Sequence, residues 1–259
     1  MDVVNQTQPA DGVALITLTR PEVHNSFNTA MADELLQIAS ELAGDPSIGA
    51  VVVTGAGEKA FCAGADVAEF GALGSPERFH RFVSHLSTAV EAIAELPQPV
   101  IAAVEGIAFG GGCELAMACD LRTASTRTRF GLPEIKLGLL PGLGGTQRAI
   151  RMLPRSVALR MLITGEPLDA ETAFGAGFCE RPVEPGGALA DALRLADVLR
   201  TGPRQAIAAA KRLASEGPEL DLTAAIALEQ EVGRALFGTD DGREGVVAFL
   251  EKRPPRFGR

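Results

Sequence analysis

The residues best placed to do chemistry lie at positions 104–120, VEGIAFGGGCELAMACD. An apolar run at 99–104 reads as a strand and enters Gly110, Gly111 and Gly112, after which a short apolar helix opens with Cys113 and Glu114. Glycine at a strand-to-helix turn lets a ligand approach the backbone closely, since no Cβ intervenes. The first amides of the helix have no partner within it, and its start carries partial positive charge. Free N–H donors beside a carboxylate suit a carbonyl whose oxygen becomes negative as it reacts. The dipole alone also favours a glutamate in a first helical turn, so the stretch needs support from elsewhere in the chain.

Two other places offer it. Cys62-Ala63-Gly64-Ala65-Asp66 is small throughout and leaves its backbone accessible, although a tight, well-packed turn has the same composition. Glu134 follows Pro133 and opens a turn or helix. Other chemistries lack their residues. PGLGGT at 141–146 has no Gly-Lys-Ser/Thr, and 110–112 is not GxGxxG with a later acidic ribose ligand. No GxSxG occurs. His24, His80 and His85 lack metal-ligand spacing, and Cys62, Cys113, Cys119 and Cys179 form no CxxC, so no metal is expected and the thiols read as reduced and mostly buried.

The elements that must position these groups follow from the pattern of the chain. Its 259 residues are 46% hydrophobic, ample for a sizeable core. A net charge of −9 without a basic tract argues against a nucleic-acid surface. No apolar run reaches 18 residues, so no membrane span is expected. The first residues, MDVVNQTQPADG, do not read as a signal or transit peptide, which points to the cytoplasm. Strands are expected at 13–19, 50–54, 99–104, 120–124 and 178–183, and a flexible segment at 71–75. Helices are expected at 25–44 with Asn28 as a cap, 76–96, 146–153, 155–164 and 168–177. From 188 onward only helices are expected, at 188–200, 203–214, 222–237 and 243–253. A mixed α/β core followed by a helical tail suggests that the tail docks on the core or on another subunit.

Five ordered blocks give the chain a family resemblance. They are RPEVHNSFN from Arg20, FCAGAD from Phe61, QPVIAAVEGIAFGGGCELAMACD from Gln98, FGLPEIKLGLLPGLGGTQR from Phe130, and LTG with DAETAFGAG between 162 and 177. REGVVAFLEKR from Arg243 extends the match. The sequence resembles the enoyl-CoA hydratase/isomerase (crotonase) family over nearly its whole length. That resemblance implies an α/β spiral of repeated ββα units at 1–195, with a helical region at 196–259 for trimerisation and completion of the CoA site. It implies an acyl-CoA substrate, no separate cofactor, and a trimer or dimer of trimers. By the same resemblance Glu114 and Glu134 are the catalytic pair of members that hydrate a 2-enoyl thioester, and the amides of Ala65 and Gly111 form the oxyanion hole. Lys59, Ala63, Gly64, Asp66, Val67, Gly110, Gly142, Phe249 and Lys252 map to CoA and substrate contacts. Members that isomerise, decarboxylate or hydrolyse usually lack one of the two glutamates. Two departures stand out: Ser26-Phe27, where Ala-Leu is commoner, and Glu105, where Asn or Ala is common.

The chemistry explains why such groups are needed. A thioester conjugated to an alkene is electrophilic at C3, and charge gathers on the thioester oxygen, which two preorganised N–H donors stabilise. One carboxylate takes a proton from water and one carboxylic acid delivers a proton to C2. Two carboxyls sharing a desolvated pocket do not both ionise cheaply, so one pKa rises. We expect Glu114 to activate water and Glu134 to hold the proton. Competing readings are another reaction of the same family, such as double-bond isomerisation or hydration of a branched or aromatic acyl-CoA. An RNA-binding member is disfavoured by the charge, and a CoA-binding scaffold without chemistry is disfavoured by the two intact glutamates.

Overall fold

The computed structural model describes residues 2–258. In chain order the elements are β1 (Val4–Ala10), β2 (Val13–Leu18), α1 (Thr29–Ala43), β3 (Ala50–Gly55), β4 (Ala60–Cys62), α2 (Val67–Gly71), α3 (Pro76–Ala94), β5 (Val100–Val104), β6 (Ile107–Phe109) and α4 (Gly111–Ala118). There follow β7 (Leu121–Ala124), β8 (Arg129–Gly131), a 3-10 turn (Pro133–Leu137), α5 (Gly145–Met152), α6 (Arg155–Thr164), β9 (Leu168–Asp169), α7 (Ala170–Gly175), α8 (Ala188–Arg200), α9 (Arg204–Glu216), α10 (Leu222–Phe237) and α11 (Asp240–Leu250).

The strands sort into two sheets, ordered β1-β2-β3-β5-β7 and β4-β6-β8-β9. Each turn of the chain lays one strand in the larger sheet, then one short strand in the smaller, then a helix: β3 with β4, β5 with β6, β7 with β8. Within each sheet these successive strands pair in parallel. The long strands are buried on both faces, which is why β3 (AVVVTG) and β5 (VIAAV) are continuous apolar runs. Between the sheets a core forms around Phe27, Met31, Leu35, Phe61, Leu86, Val90, Ile93, Phe130 and Phe178. On the outer face of the larger sheet, Ala192 and Ala196 of α8 pack on Val13, Val52, Ile101 and Ala103. The core therefore continues to Arg200, and the expected boundary at 195–196 falls inside α8.

The helix expected at 25–44 begins only at Thr29, because Asn28 lies outside it as the cap, its side chain accepting from Met31 N–H. The remaining corrections concern short or irregular pieces. Residues 178–183 do not form the expected strand; they follow β7 with single bonds, from Glu180 N–H to Arg122 O and from Val183 N–H to Ala124 O. Pro182 has no N–H to extend that ladder. The expected helix at 168–177 begins only at Ala170, because Leu168 pairs with Phe130 as β9 and Asp169 then caps the helix at Thr172. Within the segment expected to be flexible, Ser75 caps α3 at Arg78. Glu105 acts as a clasp: its carboxylate accepts from Ser125 Oγ and from Gly186 N–H, holding 183–187 against the ends of β5 and β7. Lys211 ties α9 to the core through Asp120 at 2.8 Å and the Gln98 carbonyl at 3.1 Å.

Candidate active site

Three adjacent parallel strands of the smaller sheet, β4, β6 and β8, end side by side. Ala65 lies just past the end of β4, Gly111 just past β6 and Glu134 just past β8. The spiral thus brings residues 46 and 69 positions apart to one edge.

The segment 20–27 holds the first of these. Phe27 N–H donates to Gly64 O at 2.7 Å, and Asp66 N–H donates to Phe27 O at 2.9 Å, a parallel bridge centred on Ala65. With both flanking peptide groups used, the Ala65 N–H turns away from Phe27, and Gly111 lies close by. A Cβ placed on Gly111 would lie 3.9 Å from the Ala65 nitrogen, and one on Gly64 would lie 3.6 Å from the Gly111 nitrogen. Gly111 is the first residue of α4, so its amide has no partner within the helix. Both nitrogens border one small region of backbone around Gly64. Phe27 lies beneath it, fully buried, with its ring against Gly111. Arg20 braces the same loop, donating to Ser26 O at 2.6 Å and to Asp66 at 2.7 Å. That guanidinium, with the Ala68 and Glu69 amides, holds the Asp66 carboxyl below its ordinary value against a desolvation that pushes the other way.

Glu114 is 1% exposed, one turn into α4. Its Oε1 accepts from Leu143 N–H and from Gly145 N–H, both at 2.7 Å. Gly145 opens α5, so the carboxylate sits at the start of two helices, its own and α5. Gly145 is required by closeness, since a Cβ there would stand 2.9 Å from both Glu114 Cγ and Oε1. The PGLGGT stretch that fails as a phosphate loop is a cradle for an internal carboxylate. Burial pushes Glu114 up to about 7; the charge of Glu134 adds to this, while the two amides and Arg148 oppose it. Glu134, in the first turn of the 3-10 segment, is also raised by burial. Its Oε2 is buried with no hydrogen-bond partner among the described residues. Its own backbone N–H acts against that rise.

Gly110 joins the two halves. Its backbone, φ 51° and ψ −126°, is open only to glycine, and a Cβ would meet Glu134 Oε1 at 3.0 Å. Gly110→Ala is expected to lower kcat of any reaction at this site by about 10²-fold, since displacements of order 1 Å cost that much. A single-turnover assay checks it; an unchanged rate would mean that neither Gly111 nor Glu134 matters.

The other expected site residues are placed less uniformly. Ala63 N–H is taken by His24 O, leaving its carbonyl side open. The Asp66 amide and carbonyl are both engaged in the chain, with Phe27 and Phe70. Lys59 is exposed on the loop before β4, and Val67 is 81% exposed at the start of α2. Gly142 lies in the Glu114 cradle turn, against Val83. Phe249 is 82% exposed, and Lys252 is exposed just past α11 in a left-handed conformation, so within one chain neither is drawn in around Glu114. Sequence reasoning missed the Leu143 and Gly145 donors and Arg148; the clustered glycines of PGLGGTQR were the available signal. A cavity of about 1480 Å³ between α3, α4, α5 and α9, lined among others by Glu91, Met117, Asp120 and Lys211, contains neither glutamate.

Two sheets wound as ββα turns, with Glu114 buried in α4 and Glu134 at the end of β8, define an enzyme of the crotonase fold. The comparisons agree. The family model described as enoyl-CoA hydratase/isomerase matches residues 8–259, and the chain belongs to that family. A probable enoyl-CoA hydratase of Mycobacterium leprae is 40% identical over 245 residues, covering 95% of this chain and 94% of that protein. A short-chain-enoyl-CoA hydratase of Clostridium acetobutylicum is 36% identical, covering 93% and 92%. The crystal structure of an enoyl-CoA hydratase from Bacillus anthracis superposes with a TM-score of 0.95 at 36% identity, covering 98% of each chain.

Proposed function

We propose that this enzyme is a 2-enoyl-CoA hydratase that adds water syn across the 2,3 double bond to give a 3-hydroxyacyl-CoA. The observation that carries the reading is a pair of glutamates whose pKa values burial raises, Glu114 buried within α4 and half-buried Glu134 placed against Gly110 at the start of that helix. The thioester oxygen accepts from Ala65 N–H and Gly111 N–H, each donor worth roughly 3 kcal/mol in the transition state. Glu114, oriented by Leu143 and Gly145, removes a proton from the water that attacks C3. Glu134 delivers its proton to C2, and the enolate collapses to the product. The proton gained by Glu114 must then pass back to Glu134 or exchange with solvent before the next turnover. No further cofactor enters this scheme.

The CoA contacts are part of the same proposal: Lys59 toward the phosphates, Ala63 with Gly64 and Asp66 toward the adenine, Val67, Gly110 and Gly142 along the acyl arm. Phe249 and Lys252 reach a neighbouring subunit's CoA in a trimer or dimer of trimers. Support comes from α9 to α11, where Leu222, Phe237, Val246, Phe249 and Leu250 are exposed and Ala248 is the one buried residue. Among the described residues no helix is long and apolar enough to cross a membrane. We place the enzyme in the cytoplasm, in fatty-acid or related acyl-CoA degradation.

The test is the loss of ultraviolet absorbance of crotonyl-CoA in the wild type, Glu114→Gln and Glu134→Gln. Rapid loss in the wild type and collapse in both variants is expected. A wild type that binds the thioester but leaves its absorbance unchanged would overturn the hydratase reading.

A further inference from the structure

Arg148, in the first turn and a half of α5, links the Glu114 cradle to a third helix. Its Nη1 donates to Leu143 O at 2.8 Å, and its Nη2 donates to both carboxylate oxygens of Glu91 on α3, at 2.8 and 2.9 Å. Leu143 is the residue whose own N–H donates to Glu114 Oε1. One residue therefore meets the guanidinium at its carbonyl, while its N–H, in the preceding peptide unit, holds the Glu114 carboxylate. The Arg148 side chain is mostly buried, whereas Glu91 is about half exposed.

We propose that Arg148, anchored by Glu91, is a positioning residue for Glu114, fixing the 141–145 turn and supplying the positive charge that acts on its carboxylate. The inference rests on the reading of Glu114 as the group that activates water. A planar fork suits the task, because it can hold a carbonyl and a carboxylate at once, which an ammonium does less rigidly. The charged and titratable groups around Glu114 are few. Glu134 comes from the 3-10 turn, Arg148 from α5 and Glu91, through Arg148, from α3. Cys113 on α4 and Cys62 on β4 are buried thiols whose pKa values burial raises, that of Cys62 to about 12. Arg148 is thus the cation opposing the burial of Glu114 and the repulsion from Glu134.

The experiment compares Arg148→Gln, Arg148→Lys and Glu91→Gln in the full enzyme. Two readouts are used: the pH profile of kcat/KM with crotonyl-CoA, and a carboxyl infrared titration of Glu114 identified by its absence in Glu114→Gln. Arg148→Gln should move both the acid limb and the infrared midpoint up by about one pH unit, the low end for loss of a nearby opposite charge. Plateau kcat should fall roughly tenfold with KM little changed, from a loosened cradle. Arg148→Lys should restore the limb but not the full plateau. Glu91→Gln keeps the cation and should leave the limb in place or lower it. The proposal is overturned if folded Arg148→Gln leaves both midpoints unmoved, or if Arg148→Gln and Glu91→Gln raise them alike, as a general loosening would. Should the wild type not hydrate crotonyl-CoA, the hydratase reading fails, and the infrared midpoints still decide whether Arg148 governs Glu114.

Discussion

Glu114→Gln is expected to lose about 10³-fold in hydration rate and yet melt at a higher temperature than the wild type above pH 7. The rate falls because an amide cannot take a proton from water, within the range for loss of a general base. The gain in stability follows from burial. The glutamine oxygen can still accept from Leu143 and Gly145, so the cradle keeps its acceptor while the buried charge disappears. In the folded wild type Glu114 titrates at about 7 against an ordinary 4.5. A raised folded-state pKa means stability that is fully present below the unfolded value and is lost as pH rises through the folded one. The penalty therefore develops between pH 4.5 and 7 and is complete above that. Its size is about 3 kcal/mol, taking 1.36 kcal/mol per pH unit. For a chain of this length that is a rise of roughly 6–12 °C in Tm at pH 8, vanishing near pH 4. Thermal melts of both proteins across this range decide the matter. Parallel curves at every pH would show that Glu114 is not strained by its site.

Arg122→Met is expected to lower Tm by about 10 °C. Arg122 is buried on β7, and its guanidinium donates to four carbonyls: Phe178 O at 2.5 Å, Cys119 O at 2.7 Å, Ala116 O at 3.2 Å and Asp120 O at 3.3 Å. It also lies 4.9 Å over the Phe178 ring. Two of these carbonyls belong to the last turn and cap of α4, the negative pole of the helix that opens with Gly111. Burial lowers the Arg122 pKa, and the carbonyl cluster compensates by hydrogen bonding. Methionine fills most of the volume but leaves those oxygens dry and unpaired, at about 3–5 kcal/mol for breaking such a buried arrangement. Because the same helix presents Gly111 and Glu114, kcat should fall as well. A loss of stability below about 1 kcal/mol would show that water replaces the guanidinium without cost.

The parts of the fold visible in the sequence are those whose own residues decide their shape. Helices α6, α8 and α10 fall on their expected bounds, and α1 starts at its Asn28 cap. What stayed hidden depends on neighbours. Strands β4, β6 and β8 are three residues each, too short to show a period, and exist because they pair with one another. β1, VNQTQPA, is polar and almost wholly exposed, an edge strand that only β2 reveals. The site divides the same way. Glu114 and the glycines before it stood out as a motif, whereas Arg148 is a plain surface-type arginine until Leu143 and Glu91 are seen on either side of it. Phe27, a departure from its family's usual residue, is explained by its place under Gly111 and Gly64.

The side-by-side ends of β4, β6 and β8 act as a ruler. Neighbouring strands lie about 4.8 Å apart, and the sheet, not any side chain, sets that interval. Ala65 and Gly111 follow adjacent strands, so their amides inherit roughly the same spacing. An oxygen held about 2.9 Å from each would see its two donors at an angle near 110°, close to the directions of two lone pairs. On the proposed reading, the polarising pair is thus set by backbone geometry rather than by the reach of a side chain. Side-chain variation around it is free to change which acyl group arrives without altering how its carbonyl is gripped.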